Sequence, residues 1–508
     1  MTAIEPGRVV AVVGTGTMGQ GIAQVALVAG HPVRLYDAVP GRAEQAAASL
    51  SGRLDRLVEK GRLDAEARDA ATARLRPAVD ITELADAALV VEAVLEELSV
   101  KRELFAALED IVADDCLLAT NTSSLSVTAV AGELRRPGRL VGLHFFNPAP
   151  LLPLVEVVSG FATDDHCARR AFETARAWGK TPVRCADTPG FIVNRVARPY
   201  YAEAFRVYEE GAADPATIDA VLRESGGFRM GPFELTDLIG QDVNEAVTRS
   251  VWESFFQDAR FTPSLAQRRL VESGRLGRKS GRGWFPYGED AAPPAGARTE
   301  GPAPAPVSVA VHGGLFAADA LPGLIEEAGI EVLRKDDAVP GFPGWIELSG
   351  GTRLFLADGS AADDAGMPVI HFDLALDYRA ATRIALAPAA GVDGAALSEA
   401  VGLFQALGKD VSVIADIPGM IVTRTVAMLV DFALDAAARG VAAPDDIDTA
   451  MRLGVNYPRG PLDWGAGLGA RWVLETLESL HEEYPTGRYA PSQALRRLAA
   501  AQEEDDAS

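Results

Sequence analysis

The sequence predicts a doubly wound α/β domain followed by an all-α domain, then a degenerate copy of the same α/β plus all-α pair. Three observations lead there. An apolar, β-branched run breaks into a glycine turn and then a helix. Strand patterns alternate with helical ones through the first 187 residues. A set of glycines and prolines recurs at a fixed distance in the second half.

The first element is Arg8–Val13, whose continuous apolar texture suits a buried parallel strand. Gly14-Thr-Gly-Thr-Met-Gly19 follows at once, and Gln20–Ala29 is apolar at helical spacing. Gly30 closes that helix at its C-terminal end. Val33–Tyr36 reads as a second strand and ends at Asp37. Further strands are expected at Ala88–Ala93, Leu117–Thr120 and Leu140–Leu143, with helical patterns between them. This alternation gives a Rossmann-type domain over residues 1–187.

From residue 188 the texture turns helical, with breaks at Gly211, Gly226-Gly227 and Gly231-Pro232, so a helical domain is expected over 188–287. Residues 288–306 are rich in Pro, Ala and Gly without apolar periodicity and read as a linker. Beyond it a shift of 229 positions superposes Gly179-Lys180 on Gly408-Lys409, Asp187 on Asp416 and Pro189-Gly190 on Pro418-Gly419. The same shift carries Gly211, Pro215, Gly231-Pro232 and Gly240 onto Gly440, Pro444, Gly460-Pro461 and Gly469. These residues fix backbone angles, so the helical domain should occur again over 411–508. Residues 307–410 would then be a degenerate α/β domain, because Val311-His-Gly-Gly314 lacks the phosphate-binding glycine pattern.

Composition narrows the function. The chain has 508 residues, enough for about three or four domains, and is 48% hydrophobic and 23% charged, as ordinary globular proteins are. A net charge of −23 argues against general nucleic-acid binding, which needs a cationic field. No apolar run is long enough to span a membrane, and the N-terminal residues have no secretory pattern. Cys116, Cys167 and Cys185 are too few and scattered for a zinc site or a disulfide framework, which suits a cytoplasmic protein without metal.

The glycine turn stands in the context that dinucleotide binding requires. Gly14 permits the tight turn, Gly16 lets backbone approach a pyrophosphate, and Gly19 allows close helix–strand packing. The helix beyond, beginning near Thr17 and Met18, offers free N–H groups to phosphate. Asp37 is placed to accept hydrogen bonds from a ribose and to repel a 2′-phosphate, which favours NAD over NADP, although Arg34 and Arg42 flank it. His144 follows an apolar strand and Glu156 lies twelve residues on. A carboxylate on one ring nitrogen fixes the tautomer of a histidine base. By itself His144 reads first as a satisfied structural histidine, and the residues alone do not pair the two.

The chain resembles the L-3-hydroxyacyl-CoA dehydrogenase family. The matching words are Gly14–Gly19 with Gly21-Ile-Ala-Gln24, Val91-Glu-Ala93, Asn121-Thr-Ser-Ser-Leu125, His144-Phe-Phe-Asn-Pro148, Pro189–Arg195, Met230–Leu235 and Gly277-Arg-Lys-Ser-Gly281. They run through residues 8–287 in family order. The resemblance implies NAD-dependent oxidation of a 3-hydroxyacyl-CoA, with His144 as general base and Glu156 as its partner. It implies that Ser123 and Asn194 hold the substrate oxygen, and that Glu96, Lys101, Ser123, Asn147 and Lys279 lie near the ribose and nicotinamide of NAD. Without the resemblance, Ser123 reads first as a turn residue and Asn194 as a helix cap. The family binds CoA on the helix after Asp37. There Arg53, Arg56 and Lys60 share one face and offer cations to a phosphate, or form a solvated face with Asp55 and Glu59.

Within the family, the long form and the phrases Arg195–Glu203, Gly211–Pro215 and Gly226–Pro232 are similar to the bacterial enzymes of phenylacetate breakdown that oxidise 3-hydroxyadipyl-CoA. A distal carboxylate calls for a cation, which Arg198 or Arg229 could supply, although both also read as structural or surface arginines. The alternatives are a short-chain 3-hydroxybutyryl-CoA dehydrogenase and, from another class, a non-catalytic crystallin-like or NAD-sensing protein. In the second half Thr423 stands where Asn194 stands in the first. If His371 answers to His144, Arg383 falls opposite Glu156, so a second working site is not expected. The family's helical domain makes dimer contacts, so either a homodimer or a pseudo-dimeric monomer is implied.

Overall fold

The apolar runs of the first half become one sheet: β1 Val9–Val13, β2 Val33–Tyr36, β3 Leu75–Pro77, β4 Ala87–Glu92, β5 Leu117–Thr120, β6 Leu140–Phe145, β7 Leu154–Ser159 and β8 Thr181–Ala186. The computed structural model describes residues 2–288, 296–335 and 343–506. Sheet order is β3-β2-β1-β4-β5-β6-β7-β8. The chain runs outward from β1 to β3 and returns on the other side of β1 at β4, which leaves a crevice at the carboxyl ends of β1 and β4. Strands β1 to β6 are parallel, as expected, but β7 is antiparallel to β6 and parallel to β8. The short Phe146–Pro153 connection allows this, since a parallel return needs a longer crossover.

A second sheet holds β9 Ser308–His312, β10 Glu331–Lys335, β11 Trp345–Glu347, β12 Arg353–Leu356, β13 Val369–Phe372, β14 Arg383–Pro388 and β15 Asp410–Val413, in the order β10-β9-β11-β12-β13-β14-β15. Its β13–β14 pair is antiparallel and its β14–β15 pair parallel, as in the first sheet. Its β11 is antiparallel to both neighbours.

The helical repeat is present. Helices Pro215–Glu224, Pro232–Ile239 and Gln241–Ser254 recur as Pro444–Gly454, Pro461–Leu468 and Ala470–Glu483. Unusual backbone recurs with them. Phe191 (φ 50°) answers to Met420 (φ 48°), and Gly227 (φ 71°) to Asn456 (φ 56°), asparagine being the substitute that tolerates this region best. The buried Lys180 gives its ammonium to the Leu152 carbonyl at 2.9 Å, and Lys409 does the same to the Ala381 carbonyl at 2.7 Å.

The chain divides into two units, Met1–Arg195 with Ala436–Val455, and Val196–Asp435 with Asn456–Ser508. A stretch of the second helical copy thus belongs with the first sheet. There Ala186 on edge strand β8 donates its N–H to the Val441 carbonyl at 2.7 Å, and Arg184 N–H donates to Asp446 Oδ2 at 3.1 Å. The other unit shows the converse: Ala415 N–H reaches the Ala212 carbonyl at 3.1 Å, and the Glu224 carboxylate binds Arg383 Nε at 2.9 Å. Each helical copy therefore covers an edge of the sheet belonging to the other copy, which removes the free N–H row of an edge strand.

The expected linker differs in part. Residues 289–295 lie outside the described residues, but the chain is fastened from Arg298 on. Arg298 N–H donates to Thr217 Oγ1 (2.9 Å), Glu300 N–H to the Val411 carbonyl (2.8 Å) and Ala303 N–H to Gln405 Oε1 (2.9 Å). Among the described residues no helix is long and apolar enough to cross a membrane, and no cluster of potential metal ligands is present.

Candidate active site

Strand pairing brings His144 and Glu156 together. They are direct cross-strand partners in the antiparallel β6–β7 ladder, and so share a face. His144 Nδ1 lies 2.6 Å from Glu156 Oε2. Glu156 is fully buried, and its other oxygen accepts the N–H groups of Ile192 (3.1 Å) and Val193 (2.9 Å). Three donors thus offset the desolvation of one carboxylate. The bond to Nδ1 leaves Nε2 as the other ring nitrogen, and among the described residues nothing hydrogen-bonds to it. Phe146 and Phe191 flank the ring, with centroids 4.5 and 5.8 Å away.

The expected oxygen-binding residues gather beside this pair. Asn194 follows Val193 directly, and its Nδ2 lies 3.5 Å from the Ser123 carbonyl. Ser123 belongs to a loop built on Glu96, whose Oε1 accepts from Thr122 Oγ1 (2.6 Å), Ser123 N–H (2.9 Å) and Ser124 Oγ (2.9 Å). Burial works against the charge of Glu96, but Lys101 and these donors prevail and hold its carboxyl at about 2. Lys101 is 1% exposed, its ammonium set 2.5 Å from Glu92 and 3.1 Å from Glu96. Glu92, fully buried, also accepts from Thr120 Oγ1 at 2.7 Å. The sequence reading gives no role to Thr120 or to Glu92, which it meets only inside the word Val91-Glu-Ala93, although a glutamate ending the apolar run Ala88–Val91 is itself a signal, because buried acids need partners.

The crevice beyond β1 fits a dinucleotide. Gly14 has φ +94°, and a Cβ there would lie 2.4 Å from the Ala93 carbonyl oxygen. A Cβ on Gly19 would lie 1.9 Å from the Gly14 carbonyl oxygen, so both glycines are forced by close backbone. Gly16 instead faces open space, with nothing within 4 Å of an added Cβ. It caps the helix Thr17–Val28, whose first turn receives no side-chain cap and begins with exposed Thr17 and half-buried Met18. That leaves N–H groups and a positive dipole end for a pyrophosphate. Asp37 accepts from Thr15 Oγ1 at 2.7 Å and Val39 N–H at 3.0 Å. Burial raises its carboxyl, but the Thr15 and Val39 bonds and the charge of Arg42 outweigh that and lower it, so a ribose meets an ionised acid. Arg34 is engaged by Asp86 at 3.0 Å. NAD is the cofactor that these residues fit.

Asn147 is exposed just beyond β6. Lys279 lies in the other unit and pairs with Asp242 at 2.6 Å. Arg53 is half-buried and Arg56 and Lys60 are exposed; Arg53 and Arg56 flank the buried row Ala46, Leu50 and Leu54 of the helix Arg42–Glu59, and Lys60 stands just beyond its end. Asp55 is paired with Arg68, and among the described residues the three cations have no carboxylate partner.

In the second sheet the register corrects one expectation. His371 pairs with Ala387, not with Arg383. With the 229 shift kept, His144 answers to Asp373 and Glu156 to Ala385, whose carbonyl accepts the Asp373 N–H at 3.0 Å. Asp373 is fully buried and accepts from the N–H groups of Ile421 (3.0 Å), Val422 (2.8 Å) and Thr423 (3.0 Å). Arg383 is bound to Glu224 and Asp410 instead.

Residues 9–188 match the family described as 3-hydroxyacyl-CoA dehydrogenase, NAD binding domain. Residues 190–287 and again 419–508 match 3-hydroxyacyl-CoA dehydrogenase, C-terminal domain, and residues 354–418 match the 3-hydroxybutyryl-CoA dehydrogenase reduced Rossmann-fold domain. The chain is 47% identical over 493 residues to 3-hydroxyadipyl-CoA dehydrogenase of Escherichia coli K12, covering 97% of each. A crystal structure described as 3-hydroxybutyryl-CoA dehydrogenase from Escherichia coli K12 is similar with a TM-score of 0.89 and 44% identity, over 99% of this chain and 100% of that one. The crystal structure of (S)-3-hydroxybutyryl-CoA dehydrogenase from Ralstonia eutropha is 35% identical with a TM-score of 0.54, over 56% of this chain and 99% of that one.

Proposed function

The chain belongs to the 3-hydroxyacyl-CoA dehydrogenase family, and we propose that its substrate is 3-hydroxyadipyl-CoA, oxidised at the 3-hydroxyl to the 3-oxoacyl thioester. Bound NAD supplies the hydride acceptor. His144 Nε2 takes the hydroxyl proton as the hydride leaves C3, and Glu156 stabilises the imidazolium that forms. Ser123 and Asn194 hold the substrate oxygen, Ser123 on a loop kept in place by ionised Glu96. Gly14, Gly16, Gly19 and Asp37 seat the cofactor, and Arg53, Arg56 and Lys60 offer unpaired cations to the phosphates of CoA.

The observation that carries the acyl assignment is the near full-length identity to a protein of that name. Arg198 supports it. It stands four residues beyond Asn194 in the chain, is 5% exposed, donates to Thr248 Oγ1 at 2.9 Å and stacks on Tyr201, yet has no carboxylate partner among the described residues. A buried guanidinium without a counter-ion suits a substrate carboxylate. Arg229 is exposed. The competing reading, 3-hydroxybutyryl-CoA, is favoured by the description of the similar E. coli structure. We expect kcat/KM to be higher for 3-hydroxyadipyl-CoA than for 3-hydroxybutyryl-CoA, and Arg198→Leu to lower the former by about 10- to 100-fold while sparing the latter. A preference for the short substrate reverses the assignment.

The same reading takes the enzyme as cytoplasmic, and takes the reciprocal edge contacts as those of a pseudo-dimer within one chain rather than a homodimer.

A further inference from the structure

We propose that the helix Pro444–Gly454, supplied by the second half of the chain, positions the His144–Glu156 pair, with Gly454 as its contact residue. The inference rests on the reading of His144 as the base. The helix is held on the edge of the first sheet by the Val441 carbonyl and the Asp446 carboxylate, which take the outward N–H groups of Ala186 and Arg184. Its last residue then comes so close that a Cβ on Gly454 would lie 2.6 Å from Leu154 Cδ2, 3.1 Å from Val193 Cγ2 and 3.7 Å from Phe146 Cε1.

Each of these neighbours supports the pair. Leu154 is two residues before Glu156 on β7, and so on the same face. Val193 donates its N–H to Glu156 Oε1 at 2.9 Å. The Phe146 ring lies 4.5 Å from the His144 ring. One backbone approach thus seats the start of the strand that carries the acid, the turn that binds its second oxygen, and the ring that flanks the base.

Glycine is not required here by backbone conformation, because Gly454 is not among the residues of positive φ. Nor does the repeated fold require it. At the equivalent place the first helical copy carries Ser225, 1% exposed, whose hydroxyl donates to the Arg383 carbonyl at 2.8 Å. A side chain is accommodated where the helix meets the sheet without a dyad, and is excluded where it meets the sheet with one. Gly454 is therefore a positioning residue for the reaction, reached from the half of the chain that has no such pair of its own.

The test is made in the full chain, with kcat, KM for NAD and thermal midpoint measured on each variant. Leu154 can turn away from an added methyl group whereas the stiff Val193 cannot, so the effect should grow with bulk. We expect Gly454→Ala to lower kcat about 3-fold and Gly454→Val about 10-fold or more, with KM for NAD changed less than 2-fold. Adding Leu154→Ala to Gly454→Val removes about the volume that valine adds and should restore kcat to within about 3-fold of the parent. Unchanged kcat in Gly454→Val, a loss that only follows the folded fraction, or no recovery in the double variant overturns the proposal. His144→Ala is run alongside. If it keeps its turnover, the assignment of the base fails. If it is inactive while Gly454→Val is normal, only the positioning role fails.

Discussion

The two copies of one fold within this chain hold the same turn by different means. In the first copy the turn after Pro189-Gly190 gives its N–H groups to Glu156, reached from β7. One oxygen suffices for the turn, and the other is free to hold His144. In the second copy the turn after Pro418-Gly419 gives its N–H groups to Asp373, which stands where the histidine stands in the first. Both of its oxygens are used there, one by Ile421 and Val422, the other by Thr423 N–H and Oγ1. The fold thus places a buried carboxylate at this turn in both copies, whereas the proposed chemistry needs that carboxylate to arrive from one strand further away, with a histidine between. The nucleotide crevices differ in the same spirit. Gly16 opens on empty space, whereas beyond β9 the chain returns so that a Cβ on Gly344 would lie 2.4 Å from the His312 carbonyl oxygen, and Trp345 stacks on His312 at 4.5 Å.

If chemistry and fold have been divided in this way, substitutions at equivalent positions should have opposite signatures. His144→Ala should lower kcat by about 10²- to 10⁴-fold with little change in thermal midpoint. Substantial residual turnover would mean that the second copy, or another base, does the work. Asp373→Ala should leave kcat per folded molecule unchanged and cost about 1–3 kcal/mol of stability in denaturant unfolding, because buried N–H groups lose their acceptor. A loss of kcat without loss of stability would erase the distinction. The smallest effect concerns Glu96, whose folded carboxyl titrates at about 2 against an ordinary 4.5. A depressed acid stabilises fully above its unfolded value and loses that contribution as pH falls through its folded one. Glu96→Gln should therefore lower the thermal midpoint by a few degrees at pH 7, and the gap to the parent should close as pH falls from about 4.5 toward 2. A gap independent of pH would show that Glu96 acts through shape rather than charge.

Local signals were legible and distant pairings were not. The glycine turn, β1, β2, β4, β5 and most of β6 follow from apolar runs and turn residues. The repeat is visible because glycines and prolines that set the backbone change slowly in register, and helices starting at Pro215 and Pro444 obey it. The pairing of His144 with Glu156 depends on an antiparallel register that no periodicity encodes, so only the family resemblance supplied it. His371 misled because His-Phe occurs in both β6 and β13, while the equivalence is set by the turn and the ladder and falls on Asp373. The reversal of β7 and β8 and the cover supplied by residues 436–455 leave no trace in local sequence.

That cover also bears on how the enzyme behaves on dilution. A site that borrows a helix from another molecule is complete only while the two remain bound, and its turnover per site falls once the concentration drops below their affinity. Here Arg184 and the Asp446 that caps it are 262 residues apart in one polypeptide. The covalent connection keeps the helix supplied whatever the amount of protein made, so specific activity should hold constant at any expression level.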